Sequence, residues 1–249
     1  MEQNRFQQFG GTQNVSYTAK EPSLSVHAYA ARTFAWMFIG LLVTFGIAAA
    51  LAYTGFMERL LSGNRGLSVV VTLIPLIAMI VISMVLGLRL QKMRVATARI
   101  LFLVYSAVMG ITIAFYLVYF DVRSVAIALG ITAVFFGSLA ALSYFMKWEL
   151  RSIGPVLFAG LIALLILPIV NIFLRMPMLQ TIICYVGVGI FLGYTAYDTA
   201  KIRDIYYTYA NNDSAMLEKA SIFAAFQLYL DFLNLFLYIL RLVGSRSSD

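Results

Sequence analysis

The sequence predicts an all-α membrane protein of seven transmembrane helices, with the seventh at the centre of the bundle. Three observations predict it. Of its 249 residues, 62% are hydrophobic and 12% charged, where a soluble domain carries about 25% charged residues; the mean hydropathy is +0.89. The apolar residues fall into seven long runs, without the alternation of a membrane β-barrel. The last run carries polar residues along one face, which a bilayer accepts when that face points into the bundle or a wet path.

The runs cover about 34–56, 67–88, 98–119, 122–146, 155–174, 179–205 and 221–243. Each approaches the ~20 residues needed to cross a hydrocarbon core. Before the first run, Met1–Ala31 is polar and lacks the apolar stretch of a cleavable signal. Residues 1–33 are therefore expected to be a flexible cytosolic tail, with the first run as an uncleaved anchor. Residues 34–244 form the transmembrane domain and 245–249 a short C-terminal tail. Asn64 and Gly66 punctuate the first loop. In segment four, Gly130 and Gly137 lie seven apart, a packing signal. Pro168 allows a kink in segment five, with Asn171 just beyond it and Arg175-Met176-Pro177 as the following turn. Gly189 and Gly193 make a GxxxG in segment six, where a neighbour can approach closely. Tyr206, Tyr207 and Tyr209 at its end suit an interfacial belt. Asn211-Asn212-Asp213-Ser214 marks the longest loop. No internal repeat points to an inverted-repeat transporter.

Basic residues set the expected orientation. Twelve lie in the N-terminal tail and on its side of the bundle, among them Arg32, Arg89, Lys92, Arg94 and Arg99; six lie opposite. The N-terminus should be cytoplasmic and the C-terminus outside. A six-span arrangement with both ends inside is the rival topology, because the last segment is polar along one face. The net charge of +7 does not mark a nucleic-acid binder, since the basic residues flank apolar runs and build no continuous face. Cys184, the single cysteine, excludes an intrachain disulfide and reads as a small hydrophobe. His27 is the single histidine, so neither a histidine triad nor an HExxH or Cys/His metal cluster can be built. Walker and dinucleotide glycine motifs are missing. Neither enzymatic activity nor a cofactor is expected.

The chemistry concentrates in the last two segments. Gln227, Asp231, Asn234, Tyr238 and Arg241 follow steps of 4, 3, 4 and 3, so they share one helical face. In segment six, Tyr194, Asp198 and Lys201 do the same. Counted from the expected helix ends, Asp198 and Asp231 both lie about 14 Å deep. Two neighbouring antiparallel helices would bring these carboxylates together. In a low dielectric, two such groups cannot both ionise cheaply, and they titrate as a pair. A shared proton would close the site; its loss would leave a dianion that attracts a cation. Calcium takes 6–8 oxygens, so two aspartates make a weak, transient site suited to passage. A plainer reading pairs Asp198 with Lys201 or Arg203 and Asp231 with Arg89 or Arg94, the stripes serving as interhelical glue.

Gly193-Tyr194-Thr195-Ala196-Tyr197-Asp198-Thr199, followed by Leu228-Tyr229-Leu230-Asp231-Phe232-Leu233-Asn234-Leu235-Phe236, closely resembles the signature of the BAX inhibitor-1 family, also called the transmembrane BAX inhibitor motif family. Leu240-Arg241 and Gly244 match its usual ending. The resemblance spans all seven segments, leaves out the tail, and suggests a bacterial inner-membrane member. It implies a pH-sensitive calcium leak, with calcium as permeating ion and Asp198 and Asp231 as gate and sensor. It also implies a latch from a basic residue at the cytoplasmic end of segment two; Arg89 is the nearest match and Arg94 the alternative. Gln227, Asn234 and Tyr238 are the candidate pore-lining residues. Some family members carry a glutamate in this second helix, whereas Thr72–Leu88 holds no acid. Bacterial relatives that bind and modulate a membrane protease supply an alternative, in which the polar tail is the working part. A proton-coupled transporter is a third reading.

Overall fold

The computed structural model describes residues 24–63, 65–146, 150–210 and 214–244. The helices are α1 (Val26–Tyr53), α2 (Phe56–Gly63), α3 (Arg65–Arg89), α4 (Val95–Tyr119), α5 (Val122–Met146), α6 (Gly154–Leu174), α7 (Pro177–Tyr209) and α8 (Ser214–Val243), with a 3₁₀ turn at Leu150–Ile153 before α6. All but α2 fall on the predicted segments, and the described residues form no strand. Six of these helices are long and apolar enough to cross a membrane, and α3 contributes the apolar stretch Leu73–Arg89. Among the six is α8, the helix that a six-span arrangement would leave out. The expected loop residues Asn64 and Asn211 to Asp213, most of the tail (1–23) and residues 245–249 lie outside the described residues.

The centre is α8. It packs against α1, α4, α5 and α7 and buries residues along nearly its whole length, from Met216 to Leu240. By contrast, α6 buries only Leu157 and Leu164 and turns Leu165, Ile169 and Phe173 outward. The more polar helix is inside and the most apolar one outside, the ordering a lipid solvent imposes.

Small residues bring the helices together, though not all of those the sequence suggested. A Cβ on Gly110 of α4 would lie 2.8 Å from the Thr44 carbonyl oxygen of α1, and one on Gly187 of α7 would lie 2.7 Å from the Tyr238 ring of α8. Gly40 lies against Phe102, and Gly193 against Leu157 of α6. Only half of the GxxxG is used, because nothing lies within 4 Å of a Cβ at Gly189, nor at Gly130 or Gly137. Glycine spacing shows which residues share a face, but not whether a neighbour covers that face.

Between these close approaches a polar layer crosses the core. Thr44 Oγ1 donates to the Ser106 carbonyl at 2.8 Å and meets the Tyr229 hydroxyl at 2.6 Å, joining α1, α4 and α8. Around it, Phe102, Tyr105, Phe226 and Tyr229 contact one another edge to face, a favoured geometry for aromatic pairs.

Three local features differ from expectation. α1 begins at Val26, inside the stretch assigned to the tail, because the Ser25 side chain accepts from the Ala28 amide and so caps the helix. Tyr206 is buried rather than interfacial. Its hydroxyl donates to the Leu24 carbonyl at 2.7 Å and its ring lies 5.7 Å from that of Tyr29, so α7 ties down the start of α1; Tyr207 is exposed. α6 runs through Pro168 unbroken. Asn171 instead organises the turn to α7: its carbonyl accepts from the Arg175 amide and its Oδ1 from the Met176 amide, while Arg175 takes the left-handed conformation at φ 52°.

Gly110→Leu should overfill the α1–α4 contact and destabilise the fold by about 1–3 kcal/mol. Gly137→Ala, which meets no neighbour, should leave the fold nearly unchanged. Thermal unfolding midpoints in the same detergent check both; equal midpoints would refute the close packing at Gly110.

Candidate functional site: an intramembrane aspartate pair

Asp198 on α7 and Asp231 on α8 are 7% and 4% exposed. They lie within electrostatic reach of each other, and Tyr194, one turn before Asp198, lies within reach of both. α7 packs along α8, and each of these two neighbouring helices carries one of the buried carboxylates. The estimate of equal depth does not hold from the helix ends. Asp231 stands seventeen positions after the start of α8 and Asp198 eleven before the end of α7. Both helices extend beyond the expected ends by different lengths, so the ends are a poor ruler.

The site is only partly satisfied. Among the described residues, Asp231 Oδ2 and Thr199 Oγ1 are buried without a hydrogen-bond partner. A buried polar atom in that state costs free energy unless a proton, ion or water serves it. Lys201 lies within electrostatic reach of Asp198, though its ammonium also sits over the Tyr197 ring at 5.8 Å. Beside the site, Ser143 Oγ donates to the Ala196 carbonyl at 2.6 Å and pins α5 to α7. No third His, Cys, Asp or Glu joins the pair in a metal-binding group among the described residues. Calcium held there would draw its other ligands from backbone carbonyls and water.

The remaining stripe residues divide. Tyr238 is buried over Gly187 and stacks on Phe191 of α7 at 5.9 Å, so it faces the same helix as Asp231. Gln227 is half-buried. Asn234, also half-buried, donates to the Leu230 carbonyl of its own helix at 2.8 Å. Arg241 leaves the stripe: it donates to the Tyr116 hydroxyl at 2.8 Å and lies over the Tyr116 and Tyr238 rings. Arg89 and Arg94 are exposed, at the last turn of α3 and the cap of α4. Neither forms an ion pair with Asp198 or Asp231 among the described residues. α3 packs mainly on α4 and α2, away from the pair.

In sequence, Ser214 followed by Glu218 resembles a helix start only loosely, since the spacing is one residue too long for a capping box. Glu218 Oε1 accepts from both Arg32 of α1 and Arg99 of α4, and Arg99 lies over the Trp36 ring at 5.4 Å. Next to it, Lys219 is 8% exposed and donates to the Gln91 carbonyl at 2.9 Å. This clamp binds α1, α4, α8 and the α3–α4 turn at one end of the bundle. For Thr199 the signal was position, one residue after Asp198.

Fold and site together define an integral membrane protein: a helical bundle with one buried aspartate on its central helix and another on the helix before it. The family model "Inhibitor of apoptosis-promoting Bax1" matches residues 26–248, and the chain belongs to this family. It is 35% identical over 227 residues to the inner membrane protein YbhL of Escherichia coli K12, covering 91% of this chain and 95% of YbhL. It is also 32% identical over 237 residues to RP147 of Rickettsia prowazekii, covering 94% and 98% of the two chains.

Glu218→Ala should cost about 1 kcal/mol, since the partners are partly exposed and screened. Arg32→Ala or Arg99→Ala alone should cost less, because the other arginine still meets Glu218. The clamp is contradicted if the thermal midpoint of Glu218→Ala matches the wild type at low salt.

Proposed function

We propose that this protein is a pH-regulated calcium leak channel of the bacterial inner membrane, gated by Asp198 and Asp231. The observation that carries this reading is the buried pair itself, with Asp231 Oδ2 lacking a partner among the described residues. A carboxylate at this depth is expensive. Only a change of protonation or a bound cation alters that cost without rebuilding the bundle. With a proton on one of the two, the pair is compatible with burial. With none, adjacent anions repel and together attract a cation. Protons and calcium therefore compete for one site. The YbhL name supports the inner-membrane location, and the excess of basic residues on the N-terminal side supports a cytoplasmic N-terminus.

In this reading, Gln227, Asn234 and Tyr238 line the path beyond the gate. Tyr238 has to lift from Gly187 before an ion can pass. Arg89 can serve as a latch on Asp198 only if α3 moves, since its packing is on α4 and α2. A weak two-carboxylate site favours passage over storage, because an ion bound more tightly would not leave.

Calcium flux into proteoliposomes across about pH 5 to 8, a window around neutrality in which a change of protonation at a coupled pair is read, tests the proposal. Wild-type flux should depend on pH; Asp231→Asn and Asp198→Asn should lose that dependence. An unchanged pH profile in Asp231→Asn refutes the sensor assignment. No flux above empty liposomes at any pH, from folded protein, refutes the channel. The modulator of a membrane protease would then be tested by deleting residues 1–22. That cut spares Leu24 and Ser25, which hold the start of α1.

A further inference from the structure

Away from the aspartates, α1 and α5 both pack on α8 but scarcely touch each other. A cavity of about 510 Å³ lies between them. Its lining includes Ala30, Ala31, Met37, Phe136, Ala140 and Ala141. The floor is fixed: Ala30, Met37, Phe136 and Ala140 are buried, and Phe136 meets Phe232 of α8 edge to face at 5.5 Å. At the end of the trough nearest the N-terminus, the Tyr144 hydroxyl and His27 Nδ1 are hydrogen-bonded across it at 2.8 Å.

We propose that this trough binds one acyl chain of a phospholipid from the leaflet on the N-terminal side of the bundle. Length, width, polarity and charge support that occupant. From His27 to Met37 the trough follows α1 for ten residues, about 15 Å at 1.5 Å per residue, which is half of a hydrocarbon core about 30 Å thick. It therefore spans one leaflet. Its volume of about 510 Å³ is roughly half that of a 15 Å segment of a helix about 10 Å across, so it is too small for a further helix. The polar groups, His27 and Tyr144, stand at the outer end, and the inner lining is apolar, matching a lipid with its ester end at the interface. The same end of the bundle carries the exposed Arg89, Lys92 and Arg94, basic residues that attract phosphate headgroups to that leaflet.

The test uses full-length protein in liposomes of phosphatidylethanolamine and phosphatidylglycerol, doped with a phosphatidylcholine bearing a diazirine on its acyl chain. After irradiation, mass spectrometry should find adducts concentrated on residues 30–37 and 136–145, above those on the outward face of α6 at Leu165, Ile169 and Phe173. Gly137→Phe should abolish the trough adducts while keeping those on α6, because an added side chain there meets no protein atom within 4 Å of its Cβ. Ala141→Leu, at an exposed lining position, is the second filling variant should Gly137→Phe not fold. Adducts spread evenly over all lipid-facing helices, or unchanged in a folded filling variant, would overturn the proposal. A wild-type trough that stays unlabelled while α6 is labelled would also overturn it and assign the trough to a protein neighbour, a second copy included.

Discussion

A carboxylate held at membrane depth has no water to solvate it, and the arrangement of this bundle answers that constraint. Asp231 lies on α8, and α8 is wrapped by α1, α4, α5 and α7. In lipid, apolar side chains gain nothing by leaving the solvent, so association rests on packing and interhelical polar contacts. Both are concentrated around α8. The Thr44–Tyr229 hydrogen bond and the aromatic cluster near it join α1, α4 and α8, and Gly187 lets α7 close onto Tyr238. α6, almost wholly apolar, can remain at the periphery because the bilayer serves it as well as a protein neighbour would.

The bundle is secured unevenly. At the N-terminal end, Glu218 holds two arginines from different helices and Lys219 holds the α3–α4 turn, while Tyr206 holds the start of α1. α3 and α6 have fewer supports: α3 packs mainly on α4 and α2, and α6 mainly on α7. Motion that leaves the clamp intact therefore falls most cheaply on these two helices. At its Arg89 end, α3 is tethered by the Lys219 contact to the Gln91 carbonyl two residues on, so its freer end is the one that begins at Arg65.

The seven membrane segments and the centrality of the last were legible because each rests on one strong, local quantity: a run of apolar residues, or a polar stripe at helical spacing. The packing of α7 on α8, with a buried aspartate on each, was legible for the same reason, since consecutive antiparallel helices are spatial neighbours. Contacts made by distant segments were not. Nothing near Glu218 shows that Arg32 and Arg99, 186 and 119 positions away, converge on it. Tyr206 and Tyr207 are adjacent and chemically identical, yet one is core and the other surface, because helical rotation relative to α1 decides it. Gly189 and Gly193 share a face, but only the second meets α6. α2 escaped notice because eight residues with mixed polarity carry too little periodic signal to separate from a loop.

These features bear on how an intramembrane pair could respond to protons without loosening the fold. The ion pairs at Glu218 sit at the bundle end and are partly exposed, so water screens them and they are individually weak. The aspartates are buried, where the same charge acts over a longer range. Adding or removing one proton therefore changes the electrostatics most at the pair and least at the clamp. In the gating proposed above, a protonation event at Asp198 and Asp231 acts on the packing between α7 and α8, at Tyr238 over Gly187, while α1 and α4 stay fastened to the other end of α8. The buried carboxylates and the ion pairs that fasten the helices thus stand at separate places along α8.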